Sequence, residues 1–142
     1  MKKTLIAAAT VAGLATAAQA EEKTLVTVVT SAEPQTQLMS MVLTMQAVQQ
    51  GATTRVLLCG PGGDIALKEA PASATAPQPP RDMSPQGLMR KIMEAGATVE
   101  VCAIYLPGKG VGPEALLDGV GVARPPEMAG AMLGDDTVVW SF

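Results

Sequence analysis

The chain has 142 residues, 10 Lys+Arg against 13 Asp+Glu, 48% apolar residues and no histidine. Without imidazole, Ser-His-Asp and Cys-His catalysis, histidine-built zinc sites and a histidine-ligated haem are excluded. The acidic balance argues against nucleic acid or an anionic membrane as the main partner, because both reward a basic surface.

In chain order, Met1-Lys2-Lys3 is a basic start, Thr4 to Thr16 an Ala-rich apolar run, and Ala18-Gln19-Ala20 a small-x-small cleavage site before Glu21-Glu22. That is the layout of a secretory signal peptide over residues 1–20, and the run is too short for an ordinary membrane span. The expectation is therefore a periplasmic protein with no membrane span in its mature form. Residues 21–142 suffice for one domain with a core and are too few for two. Lys2 and Lys3 leave with the leader, so the mature part carries a net charge of 8 − 13 = −5.

Leu25-Val26-Thr27-Val28-Val29-Thr30 is β-rich and almost wholly apolar, which reads as a buried strand. Glu33-Pro34 breaks it. From Gln35 to Gln50, the residues Leu38, Met41, Val42, Met45 and Val48 follow helical spacing, and Gly51 supplies a stop. Thr54 to Cys59 is a second strand, ended by Gly60-Pro61-Gly62-Gly63. Strand, helix, strand with short links is a βαβ unit and implies parallel pairing.

Ile65 to Glu69 has room for one helical turn. Residues 70–83 contain four prolines and no apolar periodicity, and are expected to form a mobile surface loop inside the single domain. Ser84-Pro85 opens the next helix, with Leu88, Met89, Ile92 and Met93 on its apolar face and Gly96 at its end. Val99 to Tyr105 is the third expected strand, followed by a glycine-rich turn from Pro107 to Pro113. A short helix over Glu114–Leu117, a strand or extended link at Val120-Gly121-Val122, a helix from Pro125 to Leu133 and a last strand from Thr137 to Phe142 complete the chain. The sum is a three-layer α/β/α sandwich around a largely parallel sheet of four to five strands.

The chemistry narrows to two cysteines, Cys59 and Cys102. In open α/β sheets, reactive groups gather beyond the carboxyl ends of the strands. Cys59 ends the second strand, and Cys102 lies in the third, ahead of the glycine-rich turn. Cys102 is the stronger nucleophile candidate: Lys109 in the adjoining turn favours a thiolate, and Gly108, Gly110 and Gly112 let backbone amides approach an anionic sulfur group. The opposing reading is that each cysteine is only a small buried hydrophobe. An even pair in an exported chain also admits a Cys59–Cys102 disulfide.

Other patterns are weaker. Gly60-Pro61-Gly62-Gly63-Asp64 lacks the Lys-Ser/Thr ending of a P-loop, and Gly108-x-Gly110-x-Gly112 has the wrong spacing for a dinucleotide fingerprint. Methionines suit Cu(I), but Met41/Met45, Met89/Met93 and Met128/Met132 recur at i, i+4, which is the spacing of core packing. No cofactor and no metal is expected. With only Tyr105, Trp140 and Phe142 as aromatics, stacking platforms for bases or sugars have little support.

Gly96-Ala97-Thr98-Val99-Glu100-Val101-Cys102-Ala103-Ile104-Tyr105, followed by Gly108-Lys109-Gly110-Val111, resembles the active-cysteine region of the DsrE/DsrF-like, TusD-like sulfur-relay family. Val28-Val29-Thr30, Pro34-Gln35-Thr36-Gln37, Gly51 and Asp136-Thr137-Val138-Val139 match in order, so the resemblance covers nearly all of residues 21–142. It implies a parallel-sheet α/β sandwich assembled as a homo-oligomer, a trimer or hexamer. It also implies that Cys102 accepts sulfane sulfur as a persulfide and passes it from a donor to an acceptor, both unknown. The Gly108-Lys109-Gly110 segment would shape the pocket. Cys59 has no counterpart in TusD-like members and is a candidate second thiol from its own position. TusD-like members carry two arginines where this chain has Gly108-Lys109, and the leader peptide points to the exported branch of the family. Two readings of other classes stand beside this one. One is a non-catalytic oligomeric binding module. The other is a thiol redox protein cycling a Cys59–Cys102 disulfide.

Overall fold

A computed structural model describes residues 23–142; the leader peptide expected at 1–20 lies outside the described residues. Five strands form one sheet: β1 (Thr24–Val29), β2 (Thr53–Leu58), β3 (Thr98–Val101), β4 (Gly121–Val122) and β5 (Thr137–Ser141). Their order is β4-β3-β2-β1-β5, and every pairing is parallel. The expected three-layer α/β/α arrangement is observed, with five strands. β1 is an interior strand, between β2 and β5, and reads as it is buried: Val26, Thr27 and Val29 have no exposed surface.

Helices α1 (Pro34–Gln49), α2 (Ala72–Thr75) and α3 (Pro85–Glu94) cover one face of the sheet. The main core lies there, where Val29, Val56, Leu58, Val99 and Val101 meet Met41, Met89 and Ile92. Ser84 caps α3 as its sequence predicts, accepting from the Gly87 amide at 3.1 Å. Glu33 caps α1, accepting from the Thr36 amide at 2.7 Å. Backbone hydrogen bonds from Gln35 and Thr36 hold this carboxyl below the usual carboxylate range.

The buried stripe of α1 differs from the expected apolar one. Gln37, Ser40, Met41, Thr44 and Ala47 face inward, while Val42 is exposed. Small hydroxyl residues let the helix settle close to the sheet, and their polar atoms are satisfied on the spot. Thr44 Oγ1 lies 2.9 Å from Thr27 Oγ1, and Ser40 donates to the Gln37 carbonyl at 2.7 Å. A buried hydroxyl costs little once it is hydrogen-bonded.

On the opposite face lies α5 (Pro125–Met132). Met128 and Ala123 pack on Val26 and Leu57 in a second, smaller core. The segment 70–83 holds the one-turn helix α2, with Ala74 fully buried, and a bridge between Gln78 and Met83. Gln78 Nε2 also donates to the Pro34 carbonyl at 3.0 Å. Proline hid these contacts from a periodicity reading, because they are made one residue at a time.

The core of α3 yields a direct check. Ile92 is fully buried, so Ile92→Ala should cost about 2–5 kcal/mol of unfolding free energy in urea titration. Leu133, 82% exposed just beyond α5, should change stability by less than about 0.5 kcal/mol when replaced by alanine. Equal effects at the two positions would contradict this core assignment.

Candidate functional site: a paired thiol centre

The register of β2 and β3 pairs Leu58 with Val101. The next residues on the two strands are Cys59 and Cys102. The ladder continues to them, since the Cys102 amide donates to the Leu58 carbonyl at 2.9 Å and the Cys59 amide to the Val29 carbonyl at 3.0 Å. Neighbouring residues in a parallel register point to the same face, and here both cysteines point to the α5 side and pack on the smaller core. Their Cα atoms are 5.1 Å apart, and the two sulfurs form a disulfide. That separation falls within the range a disulfide requires. Both residues are half-buried, so the bond is neither sealed in the core nor free on a loop.

Cys102 sits just past the third strand. That strand stops at Val101, shorter than the Val99–Tyr105 expectation, and the expected glycine-rich turn begins as a helix, α4 (Tyr105–Lys109). The Tyr105 amide donates to the Cys102 carbonyl at 2.9 Å, which turns the chain out of the sheet. Pro107 is tolerated because it lies in the first helical turn, where its missing N–H has no intrahelical partner to lose. Gly110 closes α4 in the left-handed region, at φ 70°, where a residue without Cβ is favoured. The expected Glu114–Leu117 helix is a 3₁₀ turn over Pro113–Ala115.

After Cys59, the Gly60–Ala66 segment is a 3₁₀ helix. Its glycines are packing residues: a Cβ on Gly62 would collide with the Val29 carbonyl, and one on Gly63 with the Tyr105 ring. The segment therefore lies flush against the carboxyl end of β1 and under α4. This brings Asp64 to the two groups that α4 presents. Tyr105 Oη donates to Asp64 Oδ1 at 2.7 Å, and Lys109 Nζ lies 2.8 Å from the same oxygen. Burial, with the Asp64 carboxylate beside it, pushes the Tyr105 phenol well above the ordinary tyrosine range.

These elements enclose a shallow cleft of about 380 Å³ lined by Gly60, Pro61, Asp64, Ile104, Tyr105, Gly108 and Lys109. Its walls are the residues that immediately follow the two cysteines. Gly108 and Lys109 line this cleft, Gly110 lies outside it as the cap of α4, and neither cysteine is among the lining residues. Lys109 contacts Asp64, a partner with no sequence signal because it is 45 positions away. Asp64 and Tyr105 are the site residues that sequence reasoning missed. A larger groove of about 890 Å³ between α1 and residues 78–83 includes neither cysteine.

Among the described residues, no cluster of three or more His, Cys, Asp or Glu is arranged to hold a metal, and no helix is long and apolar enough to cross a membrane. The site is thus a two-sulfur centre at the carboxyl edge of a parallel sheet, beside a cleft in which one carboxylate neutralises one ammonium.

The fold is the DsrE-like α/β fold. The structure is similar to that of the YchN protein from E. coli, with a TM-score of 0.68, 20% sequence identity and coverage of 84% of this chain and 99% of that one. It is also similar to a protein of unknown function from Methanobacterium thermoautotrophicum, with a TM-score of 0.61, 15% identity and coverage of 84% and 99%. No protein-family model and no curated protein matches the sequence.

Tyr105 is the chain's single tyrosine, so its ionisation can be followed alone. The folded state holds the phenolic proton more tightly than the unfolded chain does. Stability is therefore unaffected by this group below the unfolded value of about 10 and falls as pH rises beyond it. At that pH the native protein should show almost no phenolate absorbance, and the urea-unfolded protein about half-ionisation. Equal phenolate signals in the two states would rule out the Tyr105–Asp64 contact.

Proposed function

We propose that this is an exported, periplasmic sulfur-handling protein whose working groups are Cys59 and Cys102. The disulfide is its oxidised form. In the reduced form Cys102 is the thiol that accepts sulfane sulfur as a persulfide. The observation that carries this reading is the register pairing of the two cysteines at the carboxyl edge, where both are half-buried. Thiol–disulfide exchange requires that an attacking thiolate reach one sulfur, and partial exposure permits that approach. The DsrE-like fold and the sequence around Cys102 support the persulfide step. The leader peptide supports export, and an oxidising compartment suits a disulfide.

The resemblance also supports assembly as a homo-oligomer. Val138 and Val139 lie exposed on the edge strand β5, and exposed apolar residues at a strand edge favour pairing with another surface.

The redox reading predicts a single two-electron transition. Equilibrated in buffers of graded thiol–disulfide ratio and then alkylated, the wild-type chain should shift between zero and two blocked thiols. Cys59→Ser and Cys102→Ser should show no such transition. If the wild-type thiols alkylate fully at every ratio, the pair is not a redox couple. The persulfide reading predicts that reduced Cys59→Ser, incubated with a persulfide donor, gains the mass of a sulfur atom on Cys102. Failure of that residue to gain sulfur while reduced would sink it.

A further inference from the structure

The position of Cys59 decides what happens to sulfur once it is on Cys102. We propose that the pair does not carry the persulfide onward but reduces it. Cys59 displaces the sulfane sulfur as sulfide, and the protein is a sulfane-sulfur reductase fed by low-molecular-weight persulfides. The proposal rests on persulfide acceptance by Cys102 and goes beyond it to the fate of the sulfur.

The argument is geometric. In the disulfide, Cys59 Sγ is bonded to Cys102 Sγ, and the two residues are neighbours in a continuous parallel ladder. Their Cα separation of 5.1 Å lies within the range that a disulfide spans. A persulfide on Cys102 has that same Sγ as its inner sulfur. A reduced Cys59 therefore stands within reach of the inner sulfur of any persulfide formed there, and intramolecular attack is favoured by a high effective concentration. Attack on the inner sulfur expels hydrosulfide, a good leaving group, and leaves the observed disulfide.

The balance closes in two steps. First, the Cys102 thiolate attacks the outer sulfur of a persulfide R–S–SH. A new S–S bond forms on Cys102, the S–S bond of the donor breaks, and RS⁻ leaves to take up a proton. Second, the Cys59 thiolate attacks Cys102 Sγ. The Cys59–Cys102 bond forms, the bond to the terminal sulfur breaks, and HS⁻ leaves. Together, the dithiol protein and R–S–SH give the disulfide protein, RSH and H₂S. Two thiols lose two electrons, and the sulfane sulfur gains them to become sulfide. A dithiol reductant of the thiol–disulfide oxidoreductase class must then restore the pair by exchange.

The test uses reduced, desalted full-length wild type, Cys59→Ser and Cys102→Ser, each mixed with one equivalent of glutathione persulfide. Sulfide is read by a selective probe and the protein by intact mass without reductant. Far-ultraviolet circular dichroism against reduced wild type establishes that the variants are folded, and Cys59→Ala serves if Cys59→Ser is not. The expected result is one sulfide released per wild-type chain with loss of two protons. Cys59→Ser should gain one sulfur and release no sulfide above buffer, and Cys102→Ser should gain none. If wild type and Cys59→Ser both keep the added sulfur, the reductase inference is overturned while persulfide acceptance stands. If Cys59→Ser gains no sulfur, acceptance at Cys102 fails and the inference falls with it.

Discussion

The structure depends on one constraint above the others, the register between β2 and β3. Pairing Leu58 with Val101 makes Cys59 and Cys102 the next pair on the ladder, on the same face and 5.1 Å apart at Cα. A slip of one residue would send one thiol to the α5 side and the other into the main core. That register is held by burial. Val56, Leu58, Val99 and Val101 have almost no exposed surface, and any slip would turn them out of the core facing α1 and α3. The chemistry at the carboxyl edge is thus set by apolar packing below it.

From that pair the rest of the site follows outward. Each cysteine is succeeded by a short helical segment, Gly60–Ala66 on one side and Tyr105–Lys109 on the other. The two segments can touch only because Gly63 has no side chain to hold off the Tyr105 ring, while Gly62 lets the first segment lie against Val29. Where they meet, Asp64 accepts from Tyr105 and pairs with Lys109, tying the two ends of the cleft together. A buried phenol that keeps its proton makes this tie a fixed hydrogen bond across the alkaline range in which free tyrosine ionises.

A pair of vicinal thiols changes the meaning of a persulfide site. A lone acceptor cysteine can hold sulfane sulfur until a partner removes it. An acceptor with a second thiol one strand away is already beside the group that ends the intermediate. In the reaction proposed above, the pairing that permits the disulfide works against storage: it would link sulfur acceptance to a redox cycle and make a dithiol, instead of a sulfur acceptor, the partner on which turnover depends.

Much of this was legible in the residues themselves. The apolar run of Leu25–Thr30, the Ser84-Pro85 start of α3 and its Leu88, Met89, Ile92 stripe carry local periodicity and capping signals, and they appear where those signals place them. The absence of histidine and the presence of two cysteines pointed to the thiols as the main nucleophiles. Other features were not legible. Cys102 leaves the strand early because α4 starts at Tyr105, and that helix is held by the burial of Tyr105 and Leu106. The inner face of α1 is polar because Ser40 and Thr44 find partners at hand. Local sequence determined which segments are strands and helices and which atoms could react. Strand register, and the contacts of Asp64 with residues 41 and 45 positions away, belong to tertiary structure alone. They are decided by which buried faces fit together, an energy that no single segment contains.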